Sequence, residues 1–158
     1  MKIGLISDTH DNLPKIKSAV SFFQKNRVNL ILHAGDFVAP FAVREFTSCG
    51  IEFKGVFGNN DGEKIEILKM AQGRIFFPPL SLDLNGFSVF ITHNIDLIKG
   101  VNLQSYNLVL YGHTHKSYIK EHNGSFIVNP GEGCGVLSGE ATVGLLDLKR
   151  EKLDIVKI

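Results

Sequence analysis

Seven side chains with an affinity for divalent ions stand in short, widely separated patches. Asp8 and His10 form Asp-x-His, Asp36 follows a glycine, and Asn59 opens Asn-Asn-Asp after another. His93 follows a threonine, and His113 and His115 form Gly-His-x-His. Carboxylate, imidazole and a single amide oxygen, with no thiolate, suit manganese, iron, cobalt, nickel or zinc better than a cysteine-rich structural zinc site. Each patch is common by itself, and a lone histidine more often has a structural role. Type, order and placement together carry the reading. In extended chain, residues two apart point the same way, so Asp8 and His10 can face one ion and His113 and His115 a common site. Gly35, Gly58 and Gly112 each stand just before a proposed ligand, where the lack of a Cβ leaves room for a tight turn or close approach.

The elements around these patches give them a common destination. Lys2 to Ser7 reads as a buried strand. Asp11 or Asn12 can cap a following helix with Pro14 in its first turn. Ile16, Ala19, Val20 and Phe23 then recur at helical spacing through Lys25. Leu30 to His33 and Phe53 to Phe57 are further apolar strands, and Phe41 to Thr47 and Glu63 to Ala71 are helices. This alternation predicts parallel strands with crossover helices. The second half differs. Leu82 to Thr92 reads as a hairpin turning at Asn85-Gly86, and Ser117 to Val128 as another turning at Asn123-Gly124. A short helix is expected around Asp96 to Lys99, and a strand over Leu108 to Tyr111. Thr142 to Leu148 and Lys152 to Lys157 form a closing antiparallel pair. Phe76-Phe77-Pro78-Pro79-Leu80 reads as core packing, a crossing connection or an oligomer contact. The result is an α/β sandwich of mixed sheets in one domain spanning residues 1–158. All seven polar residues fall after strands, and parallel strands that start together also finish together. Ligand sites of open α/β sheets collect at those carboxyl ends.

The ordered set Asp-x-His, Gly-Asp, Gly-Asn-Asn-Asp, Thr-His and Gly-His-Thr-His resembles the calcineurin-like metallophosphoesterases, and within them the small bacterial and archaeal phosphodiesterases. The resemblance runs from Ser7-Asp8-Thr9-His10 to Asn129-Pro130-Gly131. It implies a four-layer α-β-β-α sandwich. It also implies two divalent ions per subunit, manganese favoured over nickel, iron, cobalt or zinc. Asp8, His10, His115 and Asp36 would hold one ion. Asn59, His93 and His113 would hold the second, with Asp36 bridging. Two ions about 3.5–4 Å apart clamp a phosphate and hold a bridging hydroxide that attacks phosphorus in line with the leaving oxygen. Asp36, Asn60, Asp61 and His93 are expected nearest the chemistry, with Asp61 fixing Asn60 or a ligand histidine. Two positions depart from the family pattern. Asn60 stands where many relatives carry a histidine acid, and His93-Asn94-Ile95 replaces a common His-Gly-His. Without the histidine acid, a poor alkoxide leaves slowly, so phosphodiesters are expected over ordinary monoesters. The second departure bears on substrate placement near His93.

The bulk composition restrains the alternatives. Seventeen basic and sixteen acidic side chains leave a formal charge of +1. That gives no electrostatic reason to expect nucleic acid or a membrane as main partner. Cys49 and Cys134 are too few for a disulfide framework, and the apolar run Ile3 to Ile6 is too short for a signal segment. A cytoplasmic protein with free thiols is expected, with Cys134 in a flexible glycine-rich loop. His33 is expected to be buried and hydrogen-bonded, and His122 solvated. A homo-oligomer, dimer or tetramer, is compatible with all of this. The rival function is a non-catalytic protein-binding scaffold, because the retromer scaffold subunit is related in fold. That subunit departs from the ligand set at the first motif, whereas His10 is kept here.

Overall fold

Along β1 (Lys2–Ile6) and β2 (Leu30–His33), every second side chain turns to the opposite face. Ile6 and Ile31 join one apolar cluster with Phe23, Phe46 and Phe53. Ile3, Leu5, Leu30 and Leu32 join another with Val89, Leu110 and Val128. A strand that is apolar on both faces must be covered on both. The computed structural model describes residues 1–158 and meets that demand with two sheets and three helices.

The first sheet has six strands in the order β11 (Lys152–Lys157), β10 (Thr142–Asp147), β1, β2, β3 (Glu52–Val56), β4 (Ile75–Phe76). Strands β1 to β4 are parallel, and β10 and β11 are antiparallel additions beside β1. Helices α1 (Leu13–Lys25), α2 (Pro40–Thr47) and α3 (Lys64–Ala71) send Ile16, Phe23, Phe46 and Ile67 into the first apolar cluster. Asn12 is the residue that caps α1, accepting from Lys15 N–H at 3.3 Å, with Pro14 in the first turn. The second sheet runs β5 (Leu80–Leu84), β6 (Phe87–Ile91), β7 (Leu108–Leu110), β9 (Ser125–Asn129), β8 (Tyr118–His122). Its inner face meets the first sheet through the second cluster. On the other side of β6, Phe90 lies under Tyr106, which follows a short 3-10 turn at Leu103–Ser105.

The hairpins turn where expected. Asn85-Gly86 and Asn123-Gly124 take positive φ at both residues, as a two-residue turn of matching twist requires. Two elements differ from expectation. The Phe76–Leu80 stretch does cross from the first sheet to the second, but Phe76 together with Ile75 also adds a fourth parallel strand beside β3. The expected helix after His93 is a single 3-10 turn at Ile95–Leu97. No helix is long and apolar enough to cross a membrane.

Candidate functional site

β1, β2 and β3 run parallel, so the chain leaves all three at the same edge, and β6 and β7 are likewise parallel to each other. The five loops that follow these strands meet. His10 Nε2 lies 3.6 Å from Asp36 Oδ2 and 4.0 Å from Asp8 Oδ1. His115 Nε2 lies 3.5 Å from Asp8 Oδ1, and His93 Nε2 3.4 Å from Asp36 Oδ2. Asn59 Oδ1 stands 2.9 Å from His93 Nε2 and 2.8 Å from His113 Nδ1. All seven side chains named from the sequence are thus brought together, through segments more than a hundred residues apart.

The pairing of Asp8 with His10 and of His113 with His115 has a different backbone basis from the one expected. These residues are not extended. Asp8, His10, Asp36, His113 and His115 have φ of 52°, 39°, 61°, 69° and 59°. Left-handed residues that are not glycine are uncommon and gather at functional sites. Main-chain bonds hold the turns: Asp8 N–H donates to Gly35 O, His10 N–H to Asp36 O, and Cys134 N–H to Asp8 O. Gly58 is needed for space, because a Cβ there would stand 2.1 Å from Asp36 Oδ1.

Hydrogen bonds fix which atoms face inward. His93 Nδ1–H donates to Ala34 O at 2.7 Å, so in the neutral ring the Nε2 lone pair points at Asn59 and Asp36. His115 Nδ1–H donates to Glu132 Oε2 at 2.7 Å, which turns its Nε2 lone pair to Asp8. His10 Nε2 is buried with no hydrogen-bond partner in the protein. Lone pairs and carboxylate oxygens facing one another need a positive charge between them. Burial works against a charged His93, yet the hydrogen bond and charge of Asp36 outweigh it and raise the pKa. Burial likewise opposes ionisation of Asp36, but His93 and two hydrogen bonds from Asn60 hold it well below the usual carboxylate range. Burial prevails at Asp8 and raises its pKa.

A cation meets the same demand. Two donors each about 2.1 Å from one ion at a tetrahedral angle stand roughly 3.4 Å apart, close to the observed 3.4, 3.5 and 3.6 Å separations. The donor atoms of Asp8, His10 and His115 all lie within 4.8 Å of one another, and so do those of Asp8, Asp36 and His93. The residues present therefore fit divalent ions, on the orphaned His10 nitrogen and on the spacing.

Asn60 and Asp61 are engaged otherwise than expected. Asn60 Nδ2 donates to Asp36 Oδ2 and its main-chain N–H to Oδ1, both at 2.8 Å. The Asp61 side chain hydrogen-bonds to neither Asn60 nor a ligand histidine. Its buried carboxylate accepts from the main-chain N–H groups of Gly58 at 2.6 Å, Val38 at 2.7 Å and Asp36 at 3.2 Å. It ties the loop after β2 to the loop after β3.

Glu132 was not singled out from the sequence. It is fully buried and accepts from His115 Nδ1, Cys134 Sγ, and both Ser138 N–H and Ser138 Oγ. Burial opposes its charge, but these bonds outweigh it and hold the pKa at about 2. A charged residue amid Asn129-Pro130-Gly131 and Gly133 was the available signal. Cys134 lies in the loop between β9 and β10, as the glycines beside it suggest. It is buried, and burial with the nearby Glu132 pushes its pKa up to about 11, which leaves it an unreactive thiol. Asn129 supports the loop that carries His113, donating through Nδ2 to Gly112 O and Thr114 Oγ1. His33 is buried and bonded to Thr9 Oγ1 and Gly35 N–H, and His122 is exposed.

Comparison with known proteins agrees with this geometry. Residues 1–151 match the calcineurin-like phosphoesterase superfamily domain. A phosphodiesterase of Methanocaldococcus jannaschii is 37% identical over 164 aligned positions, covering 99% of each chain. The solved structure of an archaeal phosphodiesterase superposes with a TM-score of 0.89 at 34% identity, covering all of both chains. Vps29 of Entamoeba histolytica shares the fold, with a TM-score of 0.70 at 18% identity over 100% of this chain and 99% of its own. The chain belongs to the calcineurin-like phosphoesterase superfamily.

Proposed function

We propose that the protein is a dinuclear, divalent-metal-dependent phosphoesterase that hydrolyses small phosphodiesters. The observation that carries this is the convergence of inward-facing donor atoms of Asp8, His10, Asp36, Asn59, His93, His113 and His115 around a buried ring nitrogen with no partner. The named activity of the Methanocaldococcus jannaschii relative supports the same reading. By the family resemblance, Asp8, His10, Asp36 and His115 would hold one ion, and Asp36, Asn59, His93 and His113 the other. When bound, such ions supply Lewis acidity toward phosphate oxygens and acidify water near neutral pH. Oxygen and imidazole donors suit manganese, nickel, iron, cobalt or zinc, so supply decides among them, with manganese favoured by the family resemblance.

The protein's own share is orientation. Glu132 and the Ala34 carbonyl fix the tautomers of His115 and His93. Asn60 fixes the Asp36 carboxylate through one amide N–H, and a carboxamide, unlike an imidazolium, carries no acidic proton for a leaving alkoxide. That supports diesters, or esters with good leaving groups, over ordinary monoesters. The test is turnover of paired aryl mono- and diesters by metal-reconstituted protein, with Asp36→Asn as control. Diester preference, with activity and tight metal lost in the variant, is expected. Monoester preference would overturn the substrate class, and full activity of Asp36→Asn would overturn the site. A protein with neither tightly bound metal nor turnover is the scaffold instead.

A further inference from the structure

A cavity of about 530 Å³ opens beside the cluster, a size that accommodates a whole small molecule and not a phosphate alone. Asn59, His93 and His113 line it on the side of the cluster, and Phe57, Phe77 and Leu97 are among its apolar walls. Phe77 is 63% exposed and Leu97 75% exposed. Large apolar side chains left to solvent at the mouth of a polar site mark a place where something apolar sits. The walls are aromatic on one side. The Phe77 ring lies 4.9 Å from that of buried Phe57, tilted by 43°. Lys64 places its ammonium 6.0 Å from the Phe57 centroid, bringing one positive charge to the cavity lining. The Leu97 and Ile98 part of the lining depends on Asn94. Its side chain accepts from Asp96 N–H and so starts the 3-10 turn Ile95–Leu97, which sets Leu97 and Ile98 on the cavity. The residue that departs from the family pattern after His93 is therefore the one that builds an apolar wall.

We infer that this cavity receives the ester substituent of the substrate, and that this substituent is a planar aromatic ring of aryl or nucleobase kind. The inference rests on the phosphodiesterase reading and names its substrate class. Continuity argues for it: the cavity shares three side chains with the proposed metal ligands, so a phosphate held by the cluster directs one substituent along the walls. Stacking on an exposed aromatic face favours a flat ring over an alkyl group.

The first test needs no turnover. Binding of phenylphosphonate and methylphosphonate to the manganese-loaded protein is measured by calorimetry, in the wild type and in Phe77→Ala and Leu97→Ala. Both positions are exposed, and Leu97→Ala serves if Phe77→Ala fails to fold. The phenyl compound should bind about tenfold tighter in the wild type. The variants should lose most of that difference while methylphosphonate is unchanged. Equal affinity of the two compounds in the wild type, or equal losses in the variants, overturns the inference. In turnover, bis(4-nitrophenyl) phosphate and methyl 4-nitrophenyl phosphate share a leaving group. The ratio of their kcat/KM should fall about tenfold in Phe77→Ala. Ring-selective binding without turnover would overturn the phosphodiesterase reading and leave the pocket standing. Turnover without ring selectivity would overturn the pocket alone. A drop in solution mass for Phe77→Ala, with ligand binding untouched, would make the patch a contact between copies and end the proposal.

Discussion

Asp61→Ala separates positioning from chemistry at this site. The Asp61 carboxylate accepts three main-chain N–H groups, from Asp36, Val38 and Gly58, and is itself buried. Alanine leaves all three donors without a partner. Each buried donor so orphaned costs about 1–3 kcal/mol. Val38 and Gly58 are only partly buried, so water can reach their amides, and the total should fall near 3–5 kcal/mol. For a chain of this length that lowers Tm by about 10 °C. The assay is urea unfolding of the metal-free protein, followed by manganese titration of the folded fraction. A lower urea midpoint and weaker metal binding should appear together, because Asp36 N–H and the Gly58 loop lose the same anchor. Asp61→Asn keeps one accepting oxygen and should lie between. If Asp61→Ala kept the wild-type midpoint and metal affinity yet lost activity, Asp61 would act on the substrate and the positioning argument would fail.

Three further outcomes follow from neighbouring features. Glu132→Gln should leave the chain folded but weaken manganese binding by about 10–100-fold, read by calorimetry, because His115 loses its carboxylate partner. The same variant should change acid stability. The folded pKa of Glu132 is about 2, against 4.5 for the free group, so the unfolded chain takes up its proton first. The stability it contributes is complete above 4.5 and lost as pH falls toward about 2. The difference in urea midpoint between wild type and Glu132→Gln should shrink across that window, and a constant difference would contradict it. Gly112→Ala would place a Cβ 1.9 Å from Ser7 Oγ and 2.7 Å from Asp8 Oδ2. It should displace Asp8 and abolish tight metal binding, measured by metal content after dialysis.

The sequence made the parallel strands legible because short apolar runs end abruptly at polar residues, as Ile6 does before Ser7 and Asp8. That punctuation also located all seven inward-facing donors just past strand ends, Asn59 after Phe57 and Gly58 among them. The geometry was less legible. Asp8 and His10 were paired on the logic of extended chain, yet their left-handed backbone is set by bonds to Gly35 and Asp36, more than twenty residues away. Ile75–Phe76 was missed because two residues carry no period, and only the edge of β3 makes them a strand. Glu132 itself and the role of Asp61 escaped for one shared reason. Their partners, His115, Ser138, Val38 and Gly58, are assembled by the fold, and no local spacing announces them.

The positive φ angles of Asp8, His10, Asp36, His113 and His115 also bear on how such a chain evolves. Each costs the folded state about 1 kcal/mol or more that glycine would not. Asp8 and Asp36 add the burden of buried charge. A mutation that trades one of these residues for glycine therefore relaxes the backbone while it removes a ligand. Selection for stability alone pushes the sequence away from its chemistry, and only selection for activity holds it back. Once that second pressure lifts, the nearest downhill path leads to a sturdier protein with the same sheets and no enzyme.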